Sequence, residues 1–198
     1  MMKTQLNEIS EIQLGYQTRK GIKMSPSGSH LLIQARDVKK ASKIEWDTLT
    51  RFEPSGNTDR YEVRKGDILL LARGYENYAY LIEDEVFATI PANSFYIIRP
   101  DHAIVSAKYL AWWINQTPAQ EYFRYHRSGS AIPLITVSNL LKLEVNIPPP
   151  EIQKQIIELD GLLEKEKKLT QLYLEKKLKL IEGICMLSIK KKEKIQHG

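Results

Sequence analysis

Apolar and polar residues alternate in short stretches through the first three quarters of the chain, and then the rhythm changes. Leu141, Leu143, Val145 and Ile147 alternate with mostly polar neighbours, as along a half-buried strand, and three prolines at 148–150 stop the run. Beyond them the apolar positions fall at Ile152, Ile156, Leu159, Leu163, Leu169, Tyr173, Leu180, Ile184 and Leu187. Most of these steps are three, four or seven residues, the spacing of a coiled-coil seam. Proline cannot donate in a sheet ladder but fits the first turn of a helix. The junction therefore predicts the last strand of a globular head (residues 1–149) feeding a long projecting helix (150–198). Glu166, Lys177 and Gly183 interrupt the seam. Roughly 40 helical residues at about 1.5 Å each make an arm on the order of 60 Å long. A single helix of that length cannot bury its stripe on a compact head and needs a partner.

The head reads as strand-rich. Leu31-Leu32-Ile33 is a short apolar run leading into a polar, basic stretch from Gln34 to Lys40, and Ser55-Gly56-Asn57 is turn chemistry. Lys65-Gly66-Asp67 turns into Ile68-Leu69-Leu70-Leu71, a buried-strand pattern that ends in Arg73-Gly74. Further strands are expected at 79–82, 86–90 and 94–98. Ser106 is a candidate N-cap for a helix carrying Tyr109, Leu110, Trp112, Trp113 and Ile114, and Pro118 opens a second with Tyr122 and Phe123. Thr136 caps a short helix through Leu141. Tyr109, Trp112, Trp113 and Phe123 are expected in the core. The fold class is α+β, a strand-rich globular domain followed by a long C-terminal coiled-coil helix.

Composition narrows the function classes. At 198 residues, 42% apolar and a mean hydropathy of −0.36, the chain fits a soluble domain with an appendage. It lacks a long uncharged apolar run, so no membrane span is expected. The opening MMKTQLNEIS lacks the apolar core of a signal peptide, which points to the cytoplasm. Cys185, the one cysteine, reads as a small apolar residue at a helix seam. The net charge of +5 divides into +3 from Glu151 onward, eleven lysines against eight acids, and +2 on the head. An excess that small does not by itself identify a nucleic-acid binder.

Catalytic chemistry finds no support in the sequence. Gly66 and Gly74 are isolated, so no glycine-rich cofactor fingerprint is present. Glu83-Asp84-Glu85 is an acidic triplet read as a turn. His30, His102, His126 and His197 lack metal-ligand spacing, and Ser128 and Ser130 have no evident base partner. We expect no enzyme, no cofactor and no metal.

Four motifs in order carry a resemblance: KGDILLLARG (65–74), KYLAWWINQTPAQEYF (108–123), SGSAIPLITVSNLLKLEVNIPPP (128–150) and EIQKQI (151–156). The chain resembles the DNA-specificity subunit of type I restriction–modification systems, and specifically one half of it. One departure is the acidic residue usually set before the glutamine, here Glu151 separated from Gln153 by Ile152. A larger one is length, since the family holds two target-recognition domains and two helices in one chain. The resemblance implies a half-subunit that dimerises through antiparallel arms, binds double-stranded DNA, and leaves methylation and cleavage to methyltransferase (M) and restriction (R) subunits.

DNA readers use phosphate contacts for position and base-edge contacts for sequence. Candidate readers are Gln34 and Arg36, then Arg73, Tyr75, Asn77 and Tyr78, since Arg suits guanine while Asn and Gln suit adenine. A further cluster from Arg124 through His126 and Arg127 to Ser128 and Ser130 is assigned mainly to phosphate positioning. In this reading each head takes one half-site, and paired arms set the spacing of an inverted-repeat target. The competing readings are a coiled-coil interaction adaptor and a regulatory decoy, both without DNA readout.

Overall fold

Ile68, Leu69 and Leu70 have no solvent exposure because the strand they form lies inside a sheet, with neighbours on both edges. The computed structural model of the chain describes residues 2–17, 21–38, 44–129 and 132–196, with side chains as far as 188. In chain order the elements are β1 (Met2–Gln5), β2 (Ser10–Leu14), β3 (His30–Ile33), β4 (Thr50–Phe52), β5 (Ile68–Leu71), β6 (Ala79–Leu81), β7 (Thr89–Pro91) and β8 (Phe95–Pro100). The helices α1 (Ala107–Ile114) and α2 (Thr117–His126) follow, then β9 (Arg127–Ser128), β10 (Leu134–Ile135), α3 (Val137–Leu141), β11 (Glu144–Ile147) and α4 (Pro150–Gln196). The architecture is α+β, a strand-rich domain ending in one long helix.

An antiparallel sheet runs β2-β8-β5-β6, with Leu69 opposite Ile97 on one side and Tyr80 on the other. Leu69 points into a core with Ile33, Val38, Leu49, Val63, Ile82, Phe95 and Ile97. A three-stranded sheet, β4-β3-β7, pairs β3 with β7 in parallel and builds a smaller core of Tyr16, Leu32, Phe52 and Ile90.

The Gly-Asp turn before β5 has a structural purpose. Gly66 sits at φ +93°, a conformation that side chains disfavour, and this brings Asp67 inward. The buried carboxylate accepts the Arg64 backbone N–H (3.0 Å) and lies 3.5 Å from Arg99. Arg99 in turn donates to the carbonyls of Arg60 and Glu62. Burial pushes the Asp67 carboxyl above the usual aspartate range, against the pull of the Arg64 hydrogen bond and the Arg99 charge.

The helices begin where the sequence places them, with differences in detail. Ser106 occupies the N-cap position of α1 without a side-chain cap bond. Thr136 does cap α3, accepting the Asn139 N–H. Tyr109 and Phe123 are buried, whereas Trp112 and Trp113 are only half-buried, the latter donating its indole N–H to the Glu144 carbonyl (3.2 Å). The strand expected at 86–90 is displaced to Thr89–Pro91. Ala88 at φ 44° turns the chain there and leaves Phe87 exposed. Each residue of the acidic triplet has a partner: Glu83 with Lys108, Asp84 with the Trp46 indole, and Glu85 with Lys65.

β11 pairs antiparallel with β1, Met2 opposite Ile147, and the prolines then release the chain into α4. Gln153 is buried in the first turn of that helix. Its side chain accepts the Ser106 N–H (3.0 Å) and donates to the Pro148 carbonyl (3.0 Å). The chain divides into two compact units, Met1–Lys154 and Gln155–Gly198, so the first turn of α4 goes with the strands. α4 is 47 residues long, about 70 Å. No helix among the described residues is long and apolar enough to cross a membrane. No cluster among them could hold a metal ion.

Candidate nucleic-acid interface

Two loops that are far apart in sequence become neighbours through a small ladder. β9 and β10 form a hairpin with Leu134 opposite Ser128, and Arg73 bridges to the other edge of Leu134. Gly74 (φ +114°) donates its N–H to the Pro133 carbonyl (2.8 Å), and Ile135 donates to Ala72 (3.0 Å). Arg73 and Ser128 thus lie two strand spacings apart, about 10 Å between backbones. Tyr96 anchors the ladder from beneath, its buried hydroxyl donating to the Ile135 carbonyl (2.8 Å). Burial raises the pKa of that phenol, and the Arg73 charge opposes the rise.

The exposed side chains on this ladder and its flanks include Arg73, Tyr75, Arg124, Tyr125, His126 and Ser128, together with the acidic Glu76. Tyr75 and Tyr125 are 70% and 79% exposed, more than a tyrosine needs for its hydroxyl alone to reach water. His126 stacks on Tyr122 at 4.0 Å between ring centres and donates from Nδ1 to the Tyr122 carbonyl. Tyr78 is half-buried beside Tyr80, whose phenol is pushed up to about 12, mainly by burial and further by Tyr78 and Glu76.

Two expected readers are used by the protein itself. Asn77 has no solvent exposure: its amide donates to the Leu71 carbonyl (2.8 Å), and its Oδ1 accepts from Arg127 Nε (3.0 Å). With no solvent exposure and both ends of its amide turned to internal partners, Asn77 presents no edge to adenine. Arg127 is half-buried and donates also to the Tyr75 carbonyl, which directs its guanidinium inward. Ser130, like Lys39 and Lys40, lies outside the described residues.

Gln34 and Arg36 belong to a separate element, the single 3₁₀ turn after β3. Asp37 closes this turn by accepting the Gln34 N–H (2.8 Å). Arg36 is exposed and reaches the Thr50 hydroxyl (3.3 Å), while the buried Gln34 amide oxygen finds no hydrogen-bond partner among the described residues. The sequence reading missed Gln120, which donates to the carbonyls of Asn77 and Ile114 (both 2.8 Å), and Ile132, 65% exposed on the β9–β10 turn. An isoleucine before proline in a small, polar loop was the available signal for the second. Nothing local marked Gln120.

On α4, Leu159, Leu163, Leu169, Tyr173, Leu180, Ile184 and Leu187 are exposed, as is Ile152 in its first turn, and Ile156 is half-buried.

Residues 2–186 match the sequence model of the type I restriction modification DNA specificity domain. The chain belongs to that family. A stretch of 101 residues is 30% identical to the type I restriction enzyme HindI specificity subunit of Haemophilus influenzae, covering 49% of this chain and 22% of that subunit. The fold is shared with solved specificity subunits. The type I S subunit from M. genitalium superposes with a TM-score of 0.56 at 17% identity, over 83% of this chain and 39% of that one. The HsdS subunit from Thermoanaerobacter tengcongensis gives 0.63 at 17% identity, over 88% and 45%. The chain therefore spans less than half the length of these specificity-domain relatives.

Proposed function

We propose that this chain is a non-catalytic DNA-reading component of a type I restriction–modification system, with its recognition surface on the Arg73–Ser128 ladder. The observation that carries the reading is the joining of two loops into one ladder, which sets Arg73 two strand spacings from Ser128, with Tyr75, Arg124 and Tyr125 exposed on the flanking residues. Arg73 and Tyr75 serve base readout, and Arg124 and Ser128 hold phosphates. In this division the recognition domain is the strand-rich unit and α4 is the pairing arm. Methylation and cleavage fall to M and R subunits.

Pairing follows from α4. Its stripe from Leu159 to Leu187 is exposed, and its charge is unevenly spread. Residues 151–166 hold five acids and two lysines, a net −3, whereas 167–196 hold nine lysines and three acids, a net +6. A second copy laid antiparallel sets each acidic end against a basic end, while a parallel copy sets like against like. Two antiparallel copies give a two-fold pair of heads and hence an inverted-repeat target. Leu174, Leu178 and Ile181 form a second exposed stripe about 100° around the helix, suited to docking the methyltransferase subunits.

The test is binding of the full chain to a randomised duplex library over a salt series, with mass in solution measured by light scattering. A dimer whose affinity falls linearly in log salt, enriching inverted repeats, is expected. A dimer that binds no duplex at low salt would leave the adaptor reading in its place. A monomer that reads an asymmetric sequence would remove the paired-arm mechanism.

A further inference from the structure

Arg127 reads from sequence as a phosphate contact beside Arg124, yet its guanidinium faces the protein. We propose that Arg127 is a positioning residue: it latches the Arg73–Tyr78 loop into its reading conformation and makes no phosphate contact. The inference rests on the DNA-reading function proposed above.

The latch is a chain of bonds that ties the loop to four elements. Arg127, at the start of β9, donates through Nε to the Asn77 side chain (3.0 Å) and through Nη2 to the Tyr75 carbonyl. Asn77 donates to the Leu71 carbonyl at the end of β5 (2.8 Å). The Asn77 carbonyl accepts from Gln120 on α2, whose amide also donates to Ile114 at the end of α1 (2.8 Å each). Arg73 and Tyr75, the two residues assigned to base readout, thus sit on a loop fixed by a buried asparagine and a half-buried arginine. The planar fork of arginine makes both bonds at once, and a lysine ammonium at the same place cannot reproduce that geometry. A loop held this way keeps the entropy cost of ordering low at the moment of binding, which favours the matched sequence over unmatched DNA.

The experiment compares the full-length chain with Arg127→Gln and Arg127→Lys, using Arg124→Gln as the phosphate-contact reference. Without DNA, hydrogen exchange follows the Leu71 and Gly74 amides, which donate to the Tyr78 and Pro133 carbonyls. Both Arg127 variants should exchange there about tenfold faster, as expected for loss of roughly 1.4 kcal/mol of local closure, with the β5–β8 amides unchanged as the control for folding. With DNA, the affinity ratio between the selected sequence and random duplex should fall about tenfold in both variants. The slope of log affinity against log salt should stay that of the unmodified chain, whereas Arg124→Gln should lower it by about one contact. Unchanged exchange, a slope lowered in Arg127→Gln, or full specificity in Arg127→Lys each overturns the latch. If the unmodified chain shows no salt-dependent binding, the DNA reading itself has failed, and the role of Arg127 falls with it.

Discussion

Replacing Gln153 by Met tests how the strand-rich unit is joined to α4. Methionine keeps the length and most of the volume of glutamine, so the substitution removes two hydrogen bonds with little change in packing. One of them satisfies the Pro148 carbonyl in a buried position, and the other satisfies the Ser106 N–H at a partly shielded one. Leaving a buried carbonyl without a donor costs about 1–3 kcal/mol, and the more accessible N–H adds about 0.5–1.5 kcal/mol. The expected loss is about 1.5–4.5 kcal/mol, which corresponds to a fall in Tm of about 3–18 °C for a unit of this size. The assay is thermal unfolding followed by far-ultraviolet circular dichroism, at one fixed protein concentration because pairing raises apparent stability. A Gln153→Met variant that melts within about 1 °C of the parent would refute the reasoning. It would mean that the prolines and the β1–β11 ladder hold the junction without the glutamine.

Asp67→Asn should reveal a pH-dependent difference in stability. Because the folded carboxyl titrates above 3.8, the folded chain binds its proton more readily than the unfolded chain. The parent should therefore gain on the Asn variant as pH falls through the raised value, with the gain complete below 3.8; a difference that grows with rising pH would contradict the burial argument. Arg73→Ala should relax sequence preference at about 1–3 kcal/mol, the cost of one base contact, measured by competition between selected and random duplexes. Arg124→Ala should instead weaken all duplexes alike, and a selective loss would exchange the two roles. Deleting one turn from α4 beyond Lys154 should change the preferred spacer between half-sites in a library selection; an unchanged spacer would sink the idea that the arm measures distance.

How much of this was legible beforehand varied with how local the cause was. β5 was readable because Ile68–Leu71 is apolar on both faces and follows a Gly-Asp turn, and α3 because Thr136 supplies its own cap. β1 was not readable. MKTQ has no strand pattern of its own and is ordered by pairing with β11, on the far side of the unit in sequence. The displacement of β7 has the same origin, since its pairing with β3 and the turn at Ala88, not the apolar pair Val86-Phe87, decide where it begins. At the candidate interface the residue types were visible and their directions were not. Asn77 suits a loop staple and an adenine contact equally well. Arg127, fifty positions away, decides between them by taking its side-chain oxygen.

The pairing of β1 with β11 bears on how the protein is made. The two strands are separated by roughly 140 residues, and synthesis at about 5–20 residues per second spends roughly 7–30 s on them. Throughout that interval residues 2–5 lack the strand that orders them and lie open to every other nascent chain nearby. Its composition suits the wait: β1 is short and polar, and it carries Lys3, a residue type that discourages strand-to-strand aggregation. Once β11 emerges, the same lysine pairs with Glu144, so the charge that guards the waiting segment also meets the strand that orders it.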